Sequence, residues 1–356
     1  MRSHGLWQSF THRRLAALAG AGAIGLLLTL APRICLAPAA GAADGQGSAA
    51  TALARGDTPL NLAETPDGFL ISTNSGYGQQ YLLAYDEARG QISDQLPVPG
   101  LWFGLDVEPR QGTVLASDGQ HSVLAVPFKA AKFGRPRPIE IDGCEMTAGL
   151  AVVDDSTALV ACTQSSLLVQ FDLGSGRTLK RSQVGENPYA VKMLPGNRVA
   201  VSDWGQSSVD ILSASTLRRL ARISVGSHPS DMRVLPGRGQ LLVACADADL
   251  ISVIDLKTLK EARRVDIRIP DSTLDGAQPD ALAFDPASGK VYAALAALNA
   301  IAVFDFGKDE DDEVKFEGLI PVGPYPTSLL YSTRAHTLFI ADGRNAVRGP
   351  STPEAA

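Results

Sequence analysis

Histidine and cysteine are too few and too scattered in this sequence to build a metal or thiol centre of familiar spacing. Five histidines and four cysteines are spread over 356 residues. No HExxH, no paired histidines and no CxxC occur, so zinc and dithiol chemistry lack their usual ligand spacing. A GxSxG elbow, a P-loop and a dinucleotide fingerprint after a strand are also missing, which leaves acyl transfer, nucleotide hydrolysis and NAD chemistry without a motif. Gly174-Ser175-Gly176 follows Leu173 as a hairpin turn. Lys and Arg number 32 against 38 Asp and Glu, a formal charge of −6. That balance argues against the basic footprint of a general nucleic-acid binder. The acidic run at 309–313 has neither the alternating ligands nor the glycine of a calcium loop, and reads as a solvated hairpin tip. No catalytic residue, metal ligand or cofactor is expected.

What the sequence does contain begins with a leader. Arg2, His12, Arg13 and Arg14 precede an apolar stretch over 15–31, no acid occurs before Asp44, and Ala40-Gly41-Ala42 offers a small-residue cleavage site. Residues 1–42 are therefore expected to be a signal peptide, taking the chain to the periplasm or beyond by the Sec or twin-arginine route. An uncleaved anchor is the alternative, because the run approaches the ~18 apolar residues that spanning requires. After cleavage no membrane span is expected. Cys144, Cys162 and Cys245 then remain, an odd number that forbids full pairing within one chain.

Glycine (34) and proline (22) are plentiful, and their placement exposes a repeat. Asn187-Pro188-Tyr189-Ala190-Val191, His228-Pro229-Ser230-Asp231-Met232, Gln278-Pro279-Asp280-Ala281-Leu282 and Tyr325-Pro326-Thr327-Ser328-Leu329 are its clearest copies. Weaker copies sit at Thr58-Pro59, at Trp102-Phe103 and at Thr147-Ala148. The apolar anchors Leu62, Leu105, Leu150, Val191, Met232, Leu282 and Leu329 recur every 41–50 residues. A second landmark, the end of the next strand, falls at Asn74, Asp118, Cys162, Asp203, Cys245, Leu295 and Asp342. Asn and Asp there are expected to bond their own backbone and open the turn to a third strand. Further short runs rich in β-branched residues and bounded by Gly, Pro and Asp supply third and fourth strands. Four short strands per repeat make one propeller blade. Seven copies predict an all-β, seven-bladed propeller over 58–343, with its last blade incomplete. Residues 43–57 would supply a ring-closing strand, and 344–356 form a polar tail.

The phrases Asn74-Ser75-Gly76-Tyr77-Gly78, Val201-Ser202-Asp203-Trp204-Gly205 and Ile251-Ser252-Val253-Ile254-Asp255-Leu256 resemble the YVTN family of β-propellers. So does the stretch from Gly318 through Pro321-Val322-Gly323 to Thr327. The wording is most similar to the propeller half of bacterial proteins that join such a propeller to an alkaline-phosphatase-like phosphoesterase domain. Nothing in this sequence corresponds to that second domain, so its catalytic residues have no counterpart.

Antiparallel pairing sets the start of a blade's first strand beside the end of its second. One face of the disc would therefore collect Tyr77, Gln79, Gln80, Trp102, Phe103, Tyr189, Trp204, His228, Asp231, Asp280 and Tyr325. Six aromatics on one face, out of 21 in the chain, describe either an interface or ligand mouth, or rings wedged between blades. The leading expectation is a non-catalytic module of the cell envelope binding a protein, polymer or small ligand there. A strand-donating partner could add to the last blade. Alternatives are the separated propeller subunit of a phosphoesterase system, and a lactonase-like enzyme whose polar channel residues would be Asn61, Asp231 and Asp280. By position, Cys162 and Cys245 are a blade apart and cannot bond, whereas Cys144 and Cys162 share one edge of a blade.

Overall fold

The computed structural model describes residues 58–76, 79–267, 276–307 and 312–343. The signal-peptide and ring-closing-strand expectations for 1–57, the tail 344–356 and Tyr77 lie outside them. The described chain is almost wholly strand, in antiparallel sheets whose strands follow one another in sequence order.

The expectation of seven blades is corrected to six. Five sheets are four-stranded, and blade two is five-stranded because Ser122–Lys129 pairs with both Lys132–Phe133 and Arg137–Glu140. The seventh copy of the repeat forms only a two-stranded hairpin, Pro326–Ser332 with Thr337–Asp342. It carries the phrase for the two inner strands, and no described residues supply outer ones. The hairpin still fills its sector of the ring. Leu329 and Ile340 pack on Leu282's blade through Ala281, Tyr292 and Ile301. Phe339 and Ala341 pack on Leu62, Leu70 and Tyr81 of blade one, and Thr327 Oγ1 donates to the Pro59 carbonyl at 2.6 Å.

Burial falls off radially. Second strands such as Phe69–Asn74 and Gln240–Cys245 are buried at every position, because neighbouring blades cover both faces of the sheet. That is why they read as unbroken apolar runs instead of alternating ones. Outer strands such as Gln91–Pro97 and Arg219–Ser224 are largely exposed and carry the charge. The first strands line the axis: Pro59–Glu64, Leu105–Glu108, Thr147–Val152, Pro188–Leu194, Pro229–Leu235 and Pro279–Asp285, with Pro326–Ser332 of the hairpin. They approach so closely that a Cβ on Gly149 would stand 2.8 Å from the Val191 nitrogen, inside any real side-chain contact.

Candidate functional site

Each first strand starts where its second strand ends, as the pairs Pro59↔Asn74, Thr147↔Cys162, Pro188↔Asp203, Pro229↔Cys245, Pro279↔Leu295 and Pro326↔Asp342 record. The entry loops and the loops after the second strands therefore share one face. The residue just before five of the seven first strands has positive φ: Met146 (60°), Asn187 (50°), His228 (53°), Gln278 (53°) and Tyr325 (60°). This conformation turns its carbonyl toward the end of the second strand. There it accepts from the amides of Thr163, Trp204, Ala246, Ala296 and Gly343 at 2.7–3.0 Å. These corners share the face at which the first strands begin.

The rings do not all play one part. Trp204, in the 3-10 turn Trp204–Gln206, is 41% exposed. It stacks on His228 with ring centroids 3.8 Å apart and planes 20° apart. His228 Nδ1 lies 2.5 Å from Asp247 Oδ2, an acid the sequence reading passed over because it sits in a turn outside the repeat phrase. Phe103 and Tyr189 stack at 4.3 Å and 20°. Burial, with Asp280 and Asp231 nearby, pushes the Tyr189 phenol well above its usual value. The Gln278 amide donates to the Tyr325 hydroxyl at 2.8 Å, and Asn299 Oδ1 accepts from the Tyr325 amide. Trp102 is the exception: it is half-buried against Gly119, and its indole nitrogen has no partner among the described residues. It serves as a wedge. Gln80 is also structural, since its Nε2 donates to the Ser75 carbonyl and its Oε1 accepts from the Gly100 and Leu101 amides.

Beneath the mouth lies a channel cavity of about 320 Å³, lined among others by Asn61, Phe103, Asp231 and Asp280. Asp280 is pushed up to about 7 by burial first, with the Asp247 charge adding and a Gln278 hydrogen bond opposing. Asn61 Nδ2 donates to the Phe103 carbonyl and its Oδ1 accepts from Leu62 N. The channel thus gathers the three polar residues expected there, and others join them, among them the cations Lys192 and Arg233. Both follow an anchor residue and read in sequence as ordinary solvent-facing positions. Among the described residues no group of three or more His, Cys, Asp or Glu is placed to hold a metal ion. His121 and His336 are exposed loop residues away from this cluster, as expected.

The landmark at the end of the second strand needs a correction. Asp118 opens its own turn as expected, accepting from the Gln120 and Ser122 amides. Asp203 does not: it is fully buried and accepts from Gly185 N and Ser208 Oγ. It fastens the strand end to the chain leaving the previous blade. Burial first, and then Asp210, push Asp203 up to about 7 from 3.8. The native state therefore holds a proton here that the unfolded chain releases near pH 4. This contribution is full below that value and is lost as pH rises through 7. Asn74 occupies the same place in blade one, so Asp203→Asn should be tolerated. Compared at pH 5 and pH 8 by urea unfolding, the variant should lose less stability with rising pH, gaining about 1–2 kcal/mol on the parent at pH 8. An unchanged pH dependence would place the Asp203 proton elsewhere.

Cys144 and Cys162 form a disulfide, with Cα atoms 5.1 Å apart, and Cys245 is a buried free thiol. Burial pushes that thiol up to about 11, which makes it a poor nucleophile.

No protein-family model matches the chain, and neither does any curated protein. Solved structures do. U3-55K aligns at 10% identity and a TM-score of 0.68, covering 84% of this chain and 93% of its own. The streptogramin B lyase structure aligns at 13% and 0.65, covering 81% and 92%. Hydrazine synthase from Kuenenia stuttgartiensis aligns at 15% and 0.63, covering 84% and 100%. The chain has the β-propeller fold. At these identities the likeness concerns the fold alone, because propellers host unrelated functions.

Proposed function

We propose that this propeller is a non-catalytic binding or scaffolding module of the cell envelope, YVTN-like in its repeats, that takes a protein, polymer or small ligand on its aromatic-rich face. The observation that carries the reading is the Trp204–His228 stack. A tryptophan 41% exposed is held flat on an imidazole that Asp247 anchors in turn. A rigid, half-open aromatic ring beside carboxylates is the kind of anchor that binding surfaces use, with little ordering entropy left to lose. Export is supported by the basic and apolar start of the chain, and by a disulfide of the kind that persists in oxidising compartments. WD40 scaffolds and lyases are both among the structural neighbours, so the fold leaves the choice to the face.

The test pairs capture with stability. Full-length protein should retain partners from an envelope extract that Trp204→Ala loses. The variant's transition should stay cooperative, with a midpoint within about 5 °C of the parent, since the ring sits at the surface and not in a blade-to-blade core. Retention of every captured species by the variant, or a collapse of its midpoint, would reassign the ring to packing between blades.

A further inference from the structure

The channel below this face has an ordered arrangement of charge. Positions just before the anchor residues contribute Asn61, Asp231 and Ser328, and positions just after contribute Asp106, Lys192 and Arg233; all six line the cavity. Two residues of strand separate these layers, about 7 Å of depth. Asp280 and Phe103 stand one residue nearer the mouth. Asp231, Asp280 and an aromatic ring thus lie above, and two cations lie below with Asp106 in their layer.

Those cations have no carboxylate bonded to them. The Lys192 ammonium has no hydrogen-bond partner among the described residues; burial first and then the Arg233 charge lower its proton affinity, and the charges of Asp231 and Asp106 oppose them. Arg233 donates only to carbonyls, to Leu282 at 2.9 and 3.2 Å and to Leu329 at 3.5 Å. The acids that could have paired with them are bound to backbone. Asp106 accepts from the Val107 and Val152 amides at 2.9 and 2.8 Å. Asp231 accepts from Met232 and Leu282 at 2.7 and 2.8 Å. Each is fixed in position by an amide of the neighbouring blade, Val152 for Asp106 and Leu282 for Asp231. Glu64, the remaining acid of the lining, lies toward the other end beside Ser332 and Arg334. A site with Asp231 and Asp280 at one depth, and at the next two cations against a single carboxylate that two backbone amides already hold, suits a ligand carrying both charges in the opposite order.

We propose that the channel binds a small zwitterion of the amino-acid class. Its ammonium would be held by Asp231, Asp280 and the face of Phe103, and its carboxylate by Lys192 and Arg233 one layer deeper. The Phe103 ring, backed by Tyr189, supplies the cation–π face. A cavity of about 320 Å³ is of the size that small-molecule sites occupy. A simple anion would meet Asp106 and Asp231 in the same space, and a simple cation would meet Lys192 and Arg233, so each is disfavoured by half of the lining. The proposal rests on reading this face as a binding face.

The test is a thermal-midpoint screen of the full chain with each of the common L-amino acids at about 10 mM. The matching amino-acid amides and N-acetyl amino acids, each lacking one charge, serve as controls. At least one amino acid should raise the midpoint by about 3 °C or more, while its amide and its N-acetyl form should not. Lys192→Met and Asp231→Asn should each abolish the shift while retaining a cooperative transition of their own. No shift with any amino acid would overturn the proposal, as would equal shifts with the singly charged analogues. The control compounds decide the matter even if both variants unfold. Envelope capture by the parent and by Trp204→Ala reads the face without any amino acid present. A failed screen with intact capture removes the zwitterion alone, and lost capture specificity removes the reading beneath it.

Discussion

Reduction of the Cys144–Cys162 bond should destabilise the chain by about 3 kcal/mol, as expected for a loop of this length. Cys144 lies in the loop entering blade three and Cys162 ends that blade's second strand, 18 residues on. Both are buried, at 2% and 0% exposure, in the cluster that joins blades two and three through Leu115, Ile139, Val160 and Phe171. The bridge therefore holds an entry loop to the strand end beside it, where blades four to six rely on hydrogen bonds. Guanidinium unfolding with and without reductant measures the effect, and a Cys144→Ala/Cys162→Ala double variant should match the reduced protein to within about 1 kcal/mol. A change below about 0.5 kcal/mol would mean that the loop is ordered without the bridge. Cys245 should stay unreactive toward thiol reagents in both states, since it is buried and its proton is held tightly.

Amides of Thr337–Asp342 should exchange with solvent at least about a hundredfold faster than those of Arg198–Asp203, a larger contrast than any single substitution is expected to produce. Arg198–Asp203 is paired on both sides, with Pro188–Leu194 and with Ser208–Ser213. Thr337–Asp342 pairs only with Pro326–Ser332 among the described strands. An edge with one neighbour opens locally, and it also presents a row of donors and acceptors to any chain that can add a strand. A partner that donates such a strand would slow exchange at Thr337–Asp342 and leave Arg198–Asp203 unchanged. Equal protection in the isolated chain would show that the sheet is completed from within.

The repeat was legible because burial imposed it. Anchors such as Val191 and Met232 must be apolar to sit between neighbouring blades, and their spacing placed every first strand. The number of complete blades was not legible in the same way. The phrase that recurs belongs to the inner two strands, and a seventh copy of it guarantees a hairpin, not a blade. Outer strands face solvent, tolerate almost any side chain, and so leave a weak mark. The site divided similarly. Tyr189, Trp204, His228, Asp280 and Tyr325 could be assigned to one face from antiparallel geometry alone. Asp247 could not, because a short 3-10 turn carries no periodic signal. Nothing in the sequence sets Lys192 and Arg233 apart from solvated charges, because a residue beside the axis of a ring alternates just as a residue at a sheet surface does. Asp203 was misread in detail: sequence shows an aspartate at a strand end, and only the fold shows that the chain leaving the neighbouring blade passes over it.

The corner residues before the first strands have a consequence for how this molecule distributes its stability. Met146, Asn187, His228, Gln278 and Tyr325 all hold a backbone geometry that glycine would adopt without penalty. Each such position costs on the order of 1 kcal/mol. Glycine would give the same carbonyl orientation and the same hydrogen bond, yet five different side chains stand there, all on one rim. The opposite rim mixes the two solutions at its hairpins, with Gly68, Gly112, Gly237 and Gly289 beside Asn197, Leu217, Leu259 and His336, all at positive φ. Both sides of the disc thus carry strained side-chain positions, and where the first strands begin that strain falls on the very residues whose carbonyls close the second-strand ends, so release of one corner gives up a hydrogen bond and a strained backbone together.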